Sequence, residues 1–229
     1  MNTFAEKAIA FHHQLKLEID LSGIEVMNPF RNQETVIISE RFFTKFFKDN
    51  NKRIFIFGIN PGRFGAGLTG ISFTDPIRLE QNCGITNNLP KKPELSSEFV
   101  YKMIGSYGSV FDFYSKFFVT AVSPLGFLKE GKNLNYYDNK ELQMKTTPFI
   151  VKSIQQQISF GAFRQCAICL GGDKNFRFLQ QLNQKHSFFE NIFPLDHPRF
   201  IMQYRRKSLN EFINRYLTVM EECQRLIEK

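Results

Sequence analysis

An asparagine in a glycine-rich turn is the side chain best placed for chemistry in this 229-residue sequence, and a histidine stands in a second loop. Asn60 lies within residues 53–73, just after a run rich in Ile and Phe that is typical of a buried parallel strand. His197 follows a shorter apolar run. In an open α/β sheet, ligands bind just beyond the carboxyl ends of the strands. We therefore expect Asn60 to be placed for chemistry, and His197 to lie at the same edge of the sheet.

The turn that carries Asn60 has four glycines and one proline within residues 61–70, so the backbone leaves the strand through tight turns. Glycines in this position can cradle a phosphate. However, neither the dinucleotide-binding spacing nor the Gly-Lys-Ser/Thr ending of a P-loop is present. The spacing by itself also fits a plain connection between a strand and the next element.

Composition indicates one globular domain over residues 1–229, with 42% hydrophobic residues, 27 Phe and no Trp. No apolar stretch reaches the length of a membrane span. The N-terminus carries Glu6 and Lys7 where a signal peptide needs an apolar core. We expect a cytoplasmic monomer with no membrane partner. The net charge of +8 and the pI of about 9.3 favour an anionic partner such as nucleic acid.

Four cysteines raise the question of a metal or redox site. Cys166 and Cys169 have the two-residue spacing of half a zinc or cluster site, but they stand in an apolar run that reads as a buried strand. No second pair has a matching spacing. We interpret the cysteines as buried structural residues and expect neither a metal nor another cofactor.

The remaining pattern alternates strands with helices. Strands are predicted at residues 53–58, 118–122, 166–170 and 191–195. Helices are predicted at 3–19, 34–49, 99–117 (interrupted by Gly105 and Gly108), 147–160, 173–182 and 208–227. Residues 129–140 are predicted to be a polar loop, and His12 and His13 to face solvent. The alternation predicts an α/β fold, a three-layer α/β/α sandwich with a central, mainly parallel four-stranded sheet.

The run Gly58-Ile59-Asn60-Pro61-Gly62, followed by Phe-Gly, Thr-Gly and Phe73, resembles the first motif of the uracil-DNA glycosylase superfamily. The resemblance is strongest to the single-strand-selective monofunctional branch, and the mismatch-specific branch shares the Gly-Ile-Asn-Pro-Gly core. It extends over most of the chain through short segments: Asn28-Pro29, Glu94 to Ser97, Val122 to Leu125, Gly131 to Leu134 and His197-Pro198.

The resemblance implies a role for each matched residue in hydrolysing an N-glycosidic bond in DNA. Asn60 would orient the attacking water, and His197 would donate to the base oxygen where negative charge collects. Phe73 would stack on the extruded base. The other residues are implied as contacts to the base (Ile59, Gly62, Ala121) or to the DNA (Arg63, Arg199, Arg205, Arg206).

Two departures from the family pattern bear on specificity. The family has an asparagine on the strand before Pro-Leu to read the pyrimidine edge, and this chain has Ala121 there. The His-Pro-Ser-Pro-Arg segment is shortened to His197-Pro198-Arg199. The sequence thus predicts a monofunctional glycosylase for uracil or a related damaged base. A non-catalytic nucleic-acid-binding member of the fold and an α/β enzyme acting on a free nucleoside remain as alternatives.

Overall fold

The computed structural model describes residues 2–228, which form strands and helices. The strands are β1 (Ile24–Met27), β2 (Arg53–Gly58), β3 (Phe117–Ala121), β4 (Gly126–Lys129), β5 (Lys132–Leu134), β6 (Ala162–Leu170) and β7 (Asn191–Leu195). The helices are α1 (Phe4–Gln14), α2 (Gln33–Phe47), α3 (Ala66–Thr69), α4 (Pro76–Gln81), α5 (Leu95–Tyr107), α6 (Val110–Lys116), α7 (Lys140–Ile158), α8 (Gly172–His186), α9 (Pro198–Tyr204) and α10 (Leu209–Ile227).

The central sheet has the strand order β3-β2-β6-β7, and every neighbouring pair is parallel. All six residues of β2 are buried, and four of them, Ile54 to Phe57, form an apolar run. The prediction of a parallel four-stranded sheet is confirmed. Because parallel strands all end at one edge, the segments that follow β2, β3 and β7 emerge at the same edge of the sheet.

Helices cover both faces of this sheet. On one face, the ring of Phe4 from α1 packs on Phe55 of β2 and Phe118 of β3, with centroids 6.2 and 5.0 Å apart. Phe55 is in register with Ala167, so the adjacent Cys166 side chain points to the opposite face. There, its Sγ lies 3.5 Å from the Cys223 carbonyl oxygen of α10. The predicted three-layer sandwich is confirmed.

A second, antiparallel sheet of order β1-β4-β5 includes residues that were predicted to be loop. Glu130 and Gly131 join β4 to β5 with φ angles of +50° and +68°. Two-residue hairpin turns of this kind need positive φ at both positions. The strands are only four and three residues long, with exposed polar side chains, so the sequence shows little of the alternation that predicts a strand. This hairpin matters because β5 borders the candidate site.

Three helix predictions are corrected by the structure. The first helix ends at Gln14 rather than 19, because Leu15 takes an extended conformation. The helix predicted to open at Thr147-Pro148 begins at Lys140, where Asn139 caps it by accepting from the Leu142 N–H at 2.9 Å. Pro148 therefore lies inside α7. The predicted interruption at Gly105 is wrong, because α5 runs through that residue, whereas the one at Gly108 is confirmed, because α5 ends just before Gly108 at φ +155°.

The two histidines of α1 behave differently. His13 is exposed and lies 2.9 Å from Glu40. The prediction that His12 faces solvent is wrong, because its ring stacks on Phe30 at 4.4 Å and burial lowers its pKa to about 3. Among residues 2–228, no helix combines the length and the apolar character that a membrane crossing requires.

Candidate active site

A cleft of about 600 Å³ lies at the carboxyl ends of the central strands. It brings together eight of the residues predicted for the site: Ile59, Asn60, Gly62, Arg63, Phe73, Ala121, His197 and Arg199. They come from the loop after β2, the turn after α3, the end of β3 and the start of α9, as expected when parallel strands end at one edge. Arg205 and Arg206, predicted to bind DNA, are not part of this lining.

Asn60 lies two residues beyond β2 and is hydrogen-bonded to the end of β5 and to the segment that follows it. Its amide nitrogen donates to the Leu134 carbonyl oxygen at 3.2 Å, and its amide oxygen accepts from the Tyr136 N–H at 3.1 Å. These partners identify the oxygen, because the flipped amide would oppose donor to donor and acceptor to acceptor. A carbonyl oxygen can accept two hydrogen bonds. Asn60 is thus held rigidly and retains one acceptor position for a water molecule.

The hairpin also supports the glycine-rich loop. The Arg63 N–H donates to Asn133 Oδ1 at 3.1 Å, and the Arg63 guanidinium donates to the Gly131 carbonyl oxygen. A Cβ added at Gly62 would lie 3.4 Å from Asn133 Nδ2, so the loop and the hairpin approach closely at this point. The loop that carries Asn60 is therefore fixed by β5 and the residues around it.

His197 caps the N-terminus of α9, and its Nδ1 accepts from the Arg199 N–H at 3.1 Å. A ring nitrogen that accepts carries no proton, so in the neutral ring the proton resides on Nε2. Burial, with a smaller effect of the Arg199 charge, lowers the pKa of His197 to about 4. At neutral pH, His197 is therefore an uncharged imidazole with its Nε2–H available as a donor.

Phe73 lines the cleft in an unusual backbone conformation. Its φ is +53°, in the left-handed region that costs a non-glycine residue roughly 1–3 kcal/mol. The Phe73 ring lies 5.6 Å from the His197 ring at an interplanar angle of 52°. A bulky residue in this conformation is typical of a site where surrounding contacts fix a functional side chain.

Ala121 ends β3, is 5% exposed and is in register with Gly58. Its methyl group offers no hydrogen bond at the position where the family pattern has an asparagine. Ser96 also lines the cleft and is 4% exposed. Its hydroxyl makes no side-chain hydrogen bond to another residue of the described range. Ser96 is thus a polar group near the cleft that the sequence did not single out.

Each of two rims of the cleft carries a group of side chains in which a cation lies near an aromatic ring. The first-rim group is Phe64, which is 37% exposed, with the Arg63 guanidinium carbon 4.4 Å and Lys92 Nζ 5.1 Å from its ring centroid. The second-rim group is Phe200 with Tyr204, whose ring centroids are 5.6 Å apart. The Arg205 guanidinium carbon lies 5.5 Å from the Phe200 centroid.

Arg206 pairs with a carboxylate, whereas Arg205 packs on the ring of Phe200. It lies 3.3 Å from Glu98 of α5 and makes an ion pair there. Sequence reasoning could not separate these neighbouring arginines, because both follow α9 in a basic run. It also missed Phe64, Phe200 and Tyr204, since nothing in so phenylalanine-rich a sequence marks which aromatic rings stay exposed.

All four cysteines are buried and unpaired, as predicted for structural residues. Within residues 2–228, no three His, Cys, Asp or Glu side chains are grouped as the ligands of a metal ion would be.

Comparison with known proteins agrees with this geometry. The sequence model of the uracil DNA glycosylase superfamily matches residues 44–221. The structure is similar to the crystal structure of wild-type Pedobacter heparinus SMUG2, with 40% sequence identity and a TM-score of 0.95. That match covers 98% of this chain and 100% of the other, whereas no curated protein matches. SMUG2 is of the single-strand-selective monofunctional branch, so the predicted resemblance is confirmed. The chain belongs to the uracil DNA glycosylase superfamily.

Proposed function

We propose that this protein is a monofunctional DNA glycosylase that hydrolyses the N-glycosidic bond of uracil or a related damaged base. The observation that carries this proposal is the convergence of Asn60, Phe73 and His197, from separate loops, on one cleft. These three groups supply a place for water, a stacking surface and a hydrogen-bond donor. Membership of the superfamily supports the reaction class.

Asn60 positions the water that attacks the sugar carbon. An amide is too weak a base to remove a proton from water before the glycosidic bond begins to break. This property suits a dissociative path, in which the base departs first and water is needed late. The two hydrogen bonds from Asn60 to Leu134 and Tyr136 orient the amide before the substrate arrives. A preorganised polar group of this kind typically contributes about 10²–10³ in rate.

His197 stabilises the negative charge that develops on the departing base. Its neutral Nε2–H donates to a base oxygen as the glycosidic bond lengthens, and no proton has to be transferred. Burial favours this role, because a hydrogen bond gains strength where water is excluded. The Arg199 N–H holds the ring in the required tautomer by donating to Nδ1.

The rim groups bind the DNA on either side of the lesion. Arg63, Lys92 and Arg205 provide positive charge for phosphates, and the exposed rings of Phe64, Phe200 and Tyr204 offer faces for unstacked bases. A base in a duplex has to be extruded to reach the cleft, at a cost of a few kcal/mol. In single-stranded DNA the base has no pairing partner, so no base pair has to be opened.

A non-catalytic nucleic-acid-binding role is the second candidate, and Ala121 is the observation that favours it. The alanine removes the side chain with which the family pattern reads the pyrimidine edge. A member that has lost base recognition could keep the fold and the basic rims. The retained Asn60, Phe73 and His197 favour the enzyme.

A panel of single-lesion oligonucleotides tests the proposal. We expect release of uracil from single-stranded DNA, and an abasic product that breaks only after alkali treatment. Salt-dependent binding with no base released from any lesion would support the non-catalytic role. Strand breakage without alkali, with borohydride trapping through Lys132 at the cleft rim, would contradict the monofunctional assignment. Equal cleavage of free deoxyuridine would instead indicate a nucleoside enzyme.

A further inference from the structure

The Phe73 ring is presented by a tight turn with an unfavourable backbone. The turn runs from Ile71 to Thr74 and is closed by the Thr74 N–H, which donates to the Ile71 carbonyl oxygen at 3.2 Å. Phe73 occupies its third position with φ +53°. Turns with positive φ at this position usually have glycine or asparagine there. The turn therefore needs contacts from outside it to keep a phenylalanine in this conformation.

One buried hydroxyl group joins both ends of the turn. Thr69, at the end of α3, has no exposed surface. Its Oγ1 donates to the Thr74 carbonyl oxygen at 2.6 Å and accepts from the Ile71 N–H at 3.2 Å. These two bonds fix the distance between residues 71 and 74, and so restrict the backbone of the residues between them.

A second hydroxyl group supports the turn from α5. Thr74 Oγ1 lies 3.0 Å from the Tyr101 hydroxyl and donates to the Ser72 carbonyl oxygen at 3.2 Å. The Tyr101 hydroxyl is held in turn by Cys83 Sγ at 3.0 Å and the Tyr114 hydroxyl at 3.3 Å. Burial raises the pKa of Tyr101 well above its ordinary value, so the hydroxyl keeps its proton.

We propose that Thr69 and Tyr101 are positioning residues, which hold the Phe73 ring where it stacks on the extruded base. This inference rests on the proposed function, because it assumes that Phe73 stacks on a base. Neither residue lines the cleft, so each acts through the turn. The alternative is that these hydroxyl groups only stabilise the core. Their loss would then lower the stability of the protein and leave its activity unchanged.

A double-mutant cycle separates these two possibilities. We expect Thr69→Val to lower kcat/KM for uracil in single-stranded DNA about tenfold, within the ~5–150-fold that stacking of one base is worth. Tyr101→Phe should lower kcat/KM about threefold. In a Phe73→Ala background, Thr69→Val should change kcat/KM by less than about twofold, because no ring remains to be positioned. Thr69→Ser keeps the hydroxyl and should restore most of the activity.

Thr146→Val is the matched control. Thr146 is fully buried in α7, donates to the Leu142 carbonyl oxygen at 2.8 Å and does not line the cleft. Its variant loses a comparable buried hydrogen bond and should keep its kcat/KM. If Thr69→Val does not fold, Tyr101→Phe carries the cycle, since it retains the aromatic ring. Thermal unfolding of each variant reports the loss of stability separately from the loss of activity.

The outcomes are distinct. An equal loss of kcat/KM with and without the Phe73 ring, or no loss in the parent background, would overturn the positioning role. If the parent releases no uracil, the proposed function fails, and the crystal structure of Thr69→Val then decides the positioning role. In that structure, a φ angle of residue 73 outside the positive region would support the positioning role. An unchanged φ and an unchanged 5.6 Å separation of the Phe73 and His197 rings would overturn it.

Discussion

The Phe73 ring occupies the space that a side chain at position 58 would need. A Cβ added at Gly58 would lie 2.7 Å from both Cε2 and Cζ of Phe73, closer than non-bonded carbon atoms approach. Gly58 ends β2 and stands two residues before Asn60. The first residue of the glycine-rich motif therefore makes room for the ring that we assign to stacking.

Gly58→Ala should displace the Phe73 ring and lower uracil cleavage at least about tenfold, in line with the loss of one stacking interaction. The matched control is Gly105→Ala in α5, where an added Cβ would meet no atom within 4 Å. That variant should keep its activity and unfold at the same or a slightly higher temperature, because alanine favours a helix over glycine. Full activity in a folded Gly58→Ala protein would show that the ring position is not required.

The rate of base release should not change between pH 5 and 8. Because the pKa of His197 is lowered to about 4, the imidazole is neutral over this whole range, and the neutral donor is lost only as the pH falls through 4. Single-turnover rates on a uracil oligonucleotide test this expectation. His13→Gln, at an exposed histidine, is the control for general histidine effects. A rate that rises toward acid with a midpoint near 6.5, the ordinary histidine pKa, would identify a charged donor instead.

Removing Arg205 should weaken the salt dependence of DNA binding more than removing Arg206. Arg205 packs on Phe200 at the cleft rim, whereas Arg206 is paired with Glu98. Each lost phosphate contact lowers the slope of log affinity against log salt by about 0.7 on single strands and about 0.9 on duplex DNA. We expect that loss for Arg205→Gln and a smaller one for Arg206→Gln, measured by fluorescence anisotropy. Equal slopes for the parent and Arg205→Gln would show that Arg205 does not contact a phosphate of the DNA.

Selectivity for uracil should be weaker than in enzymes with an asparagine at position 121. A site that hydrogen-bonds a substrate edge can reject analogues by about 10⁴–10⁵, and the Ala121 methyl group cannot contribute to this. We expect cleavage of modified uracils or deaminated purines as well, and a sharper preference for uracil in Ala121→Asn. Strict uracil specificity in both proteins would show that another group, such as Ser96, already reads the edge.

The positions of the candidate site residues could be predicted from the sequence where a strand precedes them. Asn60 and Phe73 stand in one motif after a strand that its apolar run revealed, and His197 follows another strand. The supports for these residues were not predictable, because they arise from distant contacts. Asn60 is oriented by Leu134 and Tyr136, next to a hairpin too short and polar to show periodicity. Tyr101 reaches the Phe73 turn from a separate helix.

In the proposed mechanism, Asn60 and His197 act on one glycosidic bond. Single-turnover cleavage of a uracil-containing single strand by Asn60→Ala and His197→Ala tests it most directly. We predict that each variant is slower than the parent by about 10²–10³, the usual cost of removing one preorganised polar group, while folding and DNA affinity change much less. Cleavage at the parent rate by both variants would contradict the assignment of this cleft as the active site.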